Sequence, residues 1–263
     1  MQITSKLSAV ESARTPVTEA ERRVRRDLAA AYRLVAHFGW DDLLATHLST
    51  RVPNEEAFLI NPIGLLFDEI TASSLVKVNL QGEILQDTTH AINRAGFVIH
   101  SAVHSARHND AGCVMHLHTR DGVAVSAVSG GLLPLNQTAM LVNGDIAFHE
   151  YEGVALDEAE CARLVADLGE RNLMFLRNHG TLAVGRSVAE AFVQMYQLEW
   201  ACTVQVRTLS MGLPLHAAPT EVVRKTQTQF PPGKTEVGAY YSDQLVWPAL
   251  LRKLDRIAPD YEH

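Results

Sequence analysis

The chain has 263 residues, of which 47% are hydrophobic, and a formal net charge of −7; that supports one large core and excludes the basic surface nucleic acid would need. No stretch approaches the roughly 18 consecutive apolar residues of a membrane span, and the chain is polar as far as Glu21, without an apolar signal segment. Three cysteines, Cys113, Cys161 and Cys202, cannot all pair and none stands in a Cys-x-x-Cys motif, so the expectation is a cytoplasmic protein in a reducing compartment.

Residues 1–17 read as a flexible arm. Thr18-Glu19-Ala20-Glu21 is a capping box, and Leu28, Ala31, Tyr32 and Val35 recur at helical spacing until Gly39 supplies a left-handed stop. Alternation from His47 to Val52 predicts a strand, with His47, Ser49 and Arg51 on one face. Phe58 to Ile60 is its hairpin partner. Asn61-Pro62-Ile63-Gly64 must turn, because Pro62 cannot continue a ladder. Leu75 to Leu80 and Glu83 to Leu85 flank Gln81-Gly82, a two-residue hairpin. A helix is predicted from Arg94 to His108, broken by Asp110-Ala111-Gly112. Another starts near Asp121, and a short strand covers Asp145 to His149. Asp157 and Glu160 form a second capping box, opening a helix that ends at Gly169. Strands follow at Leu173 to Leu176 and Thr181 to Val184. Ser187-Val188-Ala189-Glu190 opens a helix that stops at Gly212. Residues 18–212 are read as one domain. Residues 213–263 form an extension whose Tyr240, Tyr241 and Trp247 pack on this subunit or on a neighbour.

The chemistry concentrates in Cys113-Val114-Met115-His116-Leu117-His118-Thr119. Strand residues i and i+2 share a face, so His116 and His118 project in parallel and make half of a tetrahedral metal site. His179 follows a second apolar run, Leu173 to Leu176, and precedes Gly180, which suits a ligand exposed at a strand end. His100, His104 and His108 recur at helical spacing and lie along one face. Three imidazoles accept zinc, manganese, iron or cobalt, so residue type does not fix the ion.

Over residues 24–210 the chain resembles the class II aldolase/adducin family. Four stretches carry the resemblance in order: Phe58 to Thr71 with Asn61-Pro62-x-Gly64, His100 to Asp110, Val114 to Thr119, and Arg177-Asn178-His179-Gly180. The resemblance implies an α/β fold, a three-layer αβα sandwich around a central mixed, largely antiparallel sheet. It implies a divalent metal on His116, His118 and His179, with Zn2+ the default and Mn2+ or Fe2+ open. It also implies a homotetramer acting on a small-molecule substrate, with no nucleic-acid or membrane partner. Adducin itself has the fold without the ligands.

Two departures shape the functional reading. Where the sugar-phosphate aldolases carry a catalytic glutamate, counting back from His116 reaches Phe97, and Arg94 to His100 holds no carboxylate. Where they hold phosphate with a Gly-Asn pair, this chain has Thr46-His47-Leu48-Ser49. The expected activity is therefore a divalent-metal-dependent carbon–carbon lyase working through a metal-stabilised enolate. Decarboxylation is preferred to aldol cleavage, on a small hydroxylated carboxylic acid or carbonyl compound without phosphate. His47, His100 and His104 are the catalytic acid/base candidates. Asn61, Gly64 and Gln137 are the substrate-binding candidates. The competing readings are an adducin-like interaction module and an iron-dependent oxygenase on the same fold.

Overall fold

A computed structural model describes residues 17–153, 158–229 and 235–263. Among them seven strands form one mixed sheet in the order β3-β2-β1-β4-β7-β6-β5. The strands are β1 (His47–Arg51), β2 (Ala57–Ile60), β3 (Val76–Asn79), β4 (Cys113–Leu117), β5 (Ile146–His149), β6 (Leu173–Leu176) and β7 (Gly180–Gly185). Every neighbouring pair is antiparallel except β5 and β6, which are joined through a crossover helix.

Two helical layers cover the sheet, as strand alternation requires. Cys113, Met115 and Leu117 of β4 enter the larger core with α1 (Glu19–His37) and α6 (Val188–Ser210). Val114, on the other face, packs with Ile99 and Val103 of α2 (Arg94–Ala106) and Leu164 and Leu168 of α5 (Glu158–Leu168). Each buried aliphatic side chain in these layers contributes roughly 1.5–3 kcal/mol. A third cluster of Phe58, Ile60, Val76 and Val78 packs against Phe97.

Several predicted boundaries hold for the predicted reasons. Thr18 accepts from the Glu21 backbone at 3.0 Å, and Gly39 and Gly212 take φ of +69° and +64° at helix ends. The Thr18 box is only half built: the Glu21 carboxylate turns to Arg25 and Lys77, 2.8 and 3.0 Å away, in a buried charge network. The second arm of the Gln81-Gly82 hairpin shrinks to one bridge, Val78 to Ile84. Asp157, proposed as a cap, lies outside the described residues, as does the arm as far as residue 16. Two further helices, α3 (Arg120–Ser126) and α4 (Gln137–Asn143), are capped by Thr119 and Asn136; α4 was not anticipated from the sequence.

The tail forms α7 (Thr220–Gln229), α8 (Glu236–Tyr240), a wider π-type segment over Tyr241–Val246, and α9 (Trp247–Ile257). Trp247 belongs to this subunit's own core: its indole donates to Asp27 at 3.0 Å and its ring lies 5.7 Å from Phe192. Tyr240 and Tyr241 stay exposed.

Candidate metal centre

His116, His118 and His179 converge where β4 ends beside the start of β7, and their ligand atoms all lie within 4.8 Å of one another. The three ring centroids are 4.7–4.8 Å apart. The convergence depends on Gly180. A Cβ there would stand 2.4 Å from the Leu117 carbonyl oxygen and 3.0 Å from His118 Cδ2. Asn178 takes the left-handed conformation, φ 57°, that reverses the chain just before His179.

The hydrogen bonds fix which nitrogens face inward. His116 Nδ1 lies 3.0 Å from the Thr181 carbonyl oxygen, which can only accept, so Nδ1 carries the proton. His118 Nδ1 lies 3.0 Å from the Asp42 carboxylate and donates to it. Both Nε2 lone pairs are thereby turned inward, 3.0 Å from each other. Imidazole nitrogens held 2.0–2.1 Å from a tetrahedral ion sit about 3.3 Å apart. The donor set therefore fits a divalent cation: neutral imidazoles, lone pairs converging, and two rings anchored from behind by an acceptor. Burial holds His116 well below the usual histidine range and brings His179 to about 4, with the neighbouring His118 ring acting in the same direction on both.

His47 is the Cα register partner of His116. Burial, then the nearby His118, depress it to about 4. It is 3% exposed, and neither ring nitrogen has a hydrogen-bond partner among the described residues. Its ring fills the space in front of Gly96 on α2, where an added Cβ would lie 2.5 Å from His47 Cγ and Nδ1. Phe97, reached by counting back from His116, is instead stacked on Phe58 with centroids 5.8 Å apart. The α2 position that faces the histidines is therefore the glycine, and His47 takes the room a side chain there would need.

Behind His47 lie His100 and His104, both fully buried and both bonded to Ser49 Oγ, at 2.6 and 2.8 Å. His104 Nδ1 also meets the Ala111 carbonyl oxygen at 3.0 Å. Burial and the Arg51 guanidinium bring His104 to about 3; burial first, then His47 and His104, hold His100 far below its usual value. His108 stays exposed near Glu56.

The three substrate-binding candidates fall in three different settings. Asn61 is buried against α1 through Tyr32, whose hydroxyl is 2.9 Å from its Oδ1. Gly64 is exposed in the turn after β2, with φ +98°. Gln137 is exposed at the start of α4, whose buried Ala139 and Val142 pack in the α1/α6 layer, opposite the face His47 and His116 occupy.

Sequence reasoning missed three contributors, Asp42, Ser49 and Glu199, and left His149 with only a weak signal. Asp42 and Ser49 were described above. Glu199 of α6 accepts hydrogen bonds from Thr119 and, at 2.9 Å, from Thr181, tying together the strand ends that carry all three ligands. Burial raises Glu199 to about 7 against the lowering effect of those two hydroxyls. His149 at the end of β5 donates from Nδ1 to Asp167 at 2.7 Å, and its buried Nε2, on the α2/α5 face, lies 3.8 Å from the Glu160 carboxylate without a hydrogen-bond partner among the described residues. The electrostatic influence of His149 reaches His179. In the sequence His149 is marked only by its place near Tyr151 at the end of the Asp145 to His149 strand; the other three gave no motif signal.

The model of the class II aldolase and adducin N-terminal domain matches residues 26–206. Mouse alpha-adducin is 50% identical over 196 residues, covering 73% of this chain and 26% of the adducin. The crystal structure of an aldolase II superfamily protein from Pseudomonas syringae is 49% identical with a TM-score of 0.87, covering 94% of this chain and 98% of that one. An L-fuculose 1-phosphate aldolase from Glaciozyma antarctica is 25% identical with a TM-score of 0.79, covering 94% and 96%.

Proposed function

The chain belongs to the class II aldolase and adducin family, and from that premise we propose that it is a divalent-metal-dependent carbon–carbon lyase. The observation that carries this reading is the converging triad His116, His118 and His179, with two of its outer nitrogens tied to Thr181 and Asp42. A divalent ion held there supplies Lewis-acid stabilisation of the negative charge that develops on a substrate oxygen as a carbon–carbon bond breaks. Zn2+ is the ion we favour, with Mn2+ and Fe2+ as alternatives.

The chain's own groups supply the rest. His47 stands beside the triad, neutral and unpartnered, and is the group we assign to proton transfer. His100 and His104 orient it from behind. Decarboxylation remains the first choice of reaction, because departure of CO2 needs no carboxylate base on α2, where Gly96 stands. Aldol cleavage is the second choice. The substrate class is a small hydroxylated carboxylic acid or carbonyl compound, and the imidazole of His47 in the first hairpin argues against a phosphate cradle. Asn61 and Gly64 are assigned to shaping the hairpin end, and Gln137 keeps a substrate role only if a second copy brings it to a site. The assembly we favour is a homotetramer in the cytoplasm, for which the exposed Trp200, Tyr240 and Tyr241 offer contact surface. No described helix is long and apolar enough to cross a membrane.

The test is to load the protein with zinc, manganese or ferrous iron and present it with a panel of hydroxy acids and hydroxy carbonyl compounds. Release of CO2 or aldehyde, lost in His116→Ala, is the expected result. A metal-loaded protein that turns over only with oxygen consumption would replace the lyase by an oxygenase. The 50% identity to alpha-adducin favours a second reading, an interaction module. That reading would stand if the wild type failed to retain any ion.

A further inference from the structure

Three histidines outside the triad form a buried column whose hydrogen-bond direction can be read from one end. The Ala111 carbonyl oxygen can only accept, so His104 Nδ1, 3.0 Å away, donates. His104 is fully buried beside the Arg51 guanidinium, which donates to the His104 carbonyl oxygen. A second proton on that ring would be a buried charge without a counter-ion. Its Nε2 is therefore a lone pair, and Ser49 Oγ, 2.8 Å away, must donate to it. With its only proton spent, Ser49 accepts from His100 Nδ1 at 2.6 Å. His100 Nε2 is then also a lone pair, fully buried and without a hydrogen-bond partner among the described residues. It can be satisfied only by a donor. The His47 and His100 ring centroids lie 6.2 Å apart with their planes at 80°, and both His47 nitrogens are likewise buried without a hydrogen-bond partner among the described residues.

We propose that the His100–Ser49–His104–Ala111 column fixes the polarity of His47, turning its N–H toward His100 and its lone pair toward the histidine triad. His47 then meets a substrate as a hydrogen-bond acceptor: it receives a hydroxyl and rejects a carboxylate or phosphate oxygen. This deepens the lyase reading and rests on it, because it assigns the substrate hydroxyl, and not its acid group, to the His47 side of the site. Ser49 and His104 are positioning residues, acting through His47 without reaching the triad.

The test is side-chain 1H–15N correlation spectroscopy on histidine-labelled protein, zinc-loaded and metal-free. In the wild type His100 and His104 should each show one tautomer, protonated at Nδ1. His47 should carry one N–H proton, in NOE contact with the His100 ring. Ser49→Ala should move the His100 and His47 resonances from fixed positions to those of exchanging tautomers, with zinc stoichiometry unchanged. Ser49→Thr should restore the fixed pattern. A proton on Nε2 of His100 in the wild type would overturn the proposal, as would His47 resonances indifferent to Ser49→Ala. A wild type that takes up no zinc but shows the fixed tautomers would refute the metal reading and leave the column standing.

Discussion

His47 and Gly96 share one space, so substitutions at the two positions should couple. An alanine Cβ at position 96 would sit 2.5 Å from His47 Cγ and Nδ1 and 2.6 Å from Cδ2. Overpacking of this kind typically costs about 1–3 kcal/mol, against up to about 1 kcal/mol recovered when alanine replaces glycine in a helix. Gly96→Ala alone should therefore destabilise the protein by up to about 2 kcal/mol, a fall in Tm of up to roughly 8 °C for a chain of this size. With His47→Ala the overlap is gone and only the propensity gain remains, so the same substitution should become neutral or stabilising by up to about 1 kcal/mol. The assay is a double-mutant cycle by urea denaturation, with a coupling energy of about 1–3 kcal/mol expected. Equal effects of Gly96→Ala in both backgrounds would refute the claim that His47 fills the α2 side-chain position.

Other consequences concern the ligands and their supports. Asp42→Asn removes the carboxylate behind His118, and because Asp42 is about half exposed the loss of zinc affinity should fall near tenfold, the low end for such partners; titration calorimetry would show it, and an unchanged affinity would remove Asp42 from the account. Glu199 is raised by burial from 4.5 to about 7, so the folded state keeps a proton the unfolded chain releases. That stabilisation is complete below about pH 4.5 and lost as pH rises to about 7. Relative to wild type, Glu199→Gln should therefore gain on the order of 3 kcal/mol between about pH 5 and pH 8; a constant difference across that range would contradict it. The buried histidines act in the opposite sense. His47 and His104 are depressed to about 4 and 3, and His100 and His116 in the same direction. Their neutral forms cost nothing above the unfolded value near 6.5, and stability falls below it by about 1.4 kcal/mol per histidine per pH unit. The metal-free protein should unfold cooperatively as pH drops from about 6.5 toward 5, and a flat stability profile there would be the contrary result.

The sheet was legible because the alternation from His47 to Val52, apolar runs such as Leu173 to Leu176, and the caps of the longer helices are local signals. His47, Ser49 and Arg51 share a face as read, and Thr18, Ser187 and Gly39 mark the ends they were expected to mark. The helix α4 escaped because its start signal, Asn136 accepting from Ala139, stands in a short segment with little periodicity. The triad was legible because His116 and His118 lie two apart on one strand and His179 stands at a glycine. Their supports were not, because Asp42 lies 76 residues from His118 and Glu199 lies 80 from Thr119. Such pairings follow from the order in which strands enter the sheet, and no local spacing announces them. His100 and His104 were found as a helical pair, but only the fold shows that they face inward to Ser49, while Phe97 faces an apolar cluster and Gly96 faces His47.

Retention of a divalent ion by the three imidazoles underlies every role proposed for this site. It is tested most directly by elemental analysis of protein purified without an affinity tag, with His116→Ala/His118→Ala as the control. The wild type should hold about one divalent ion per chain, and the variant should lose it. A wild type that retains no metal after reconstitution with zinc, manganese or ferrous iron would contradict this expectation.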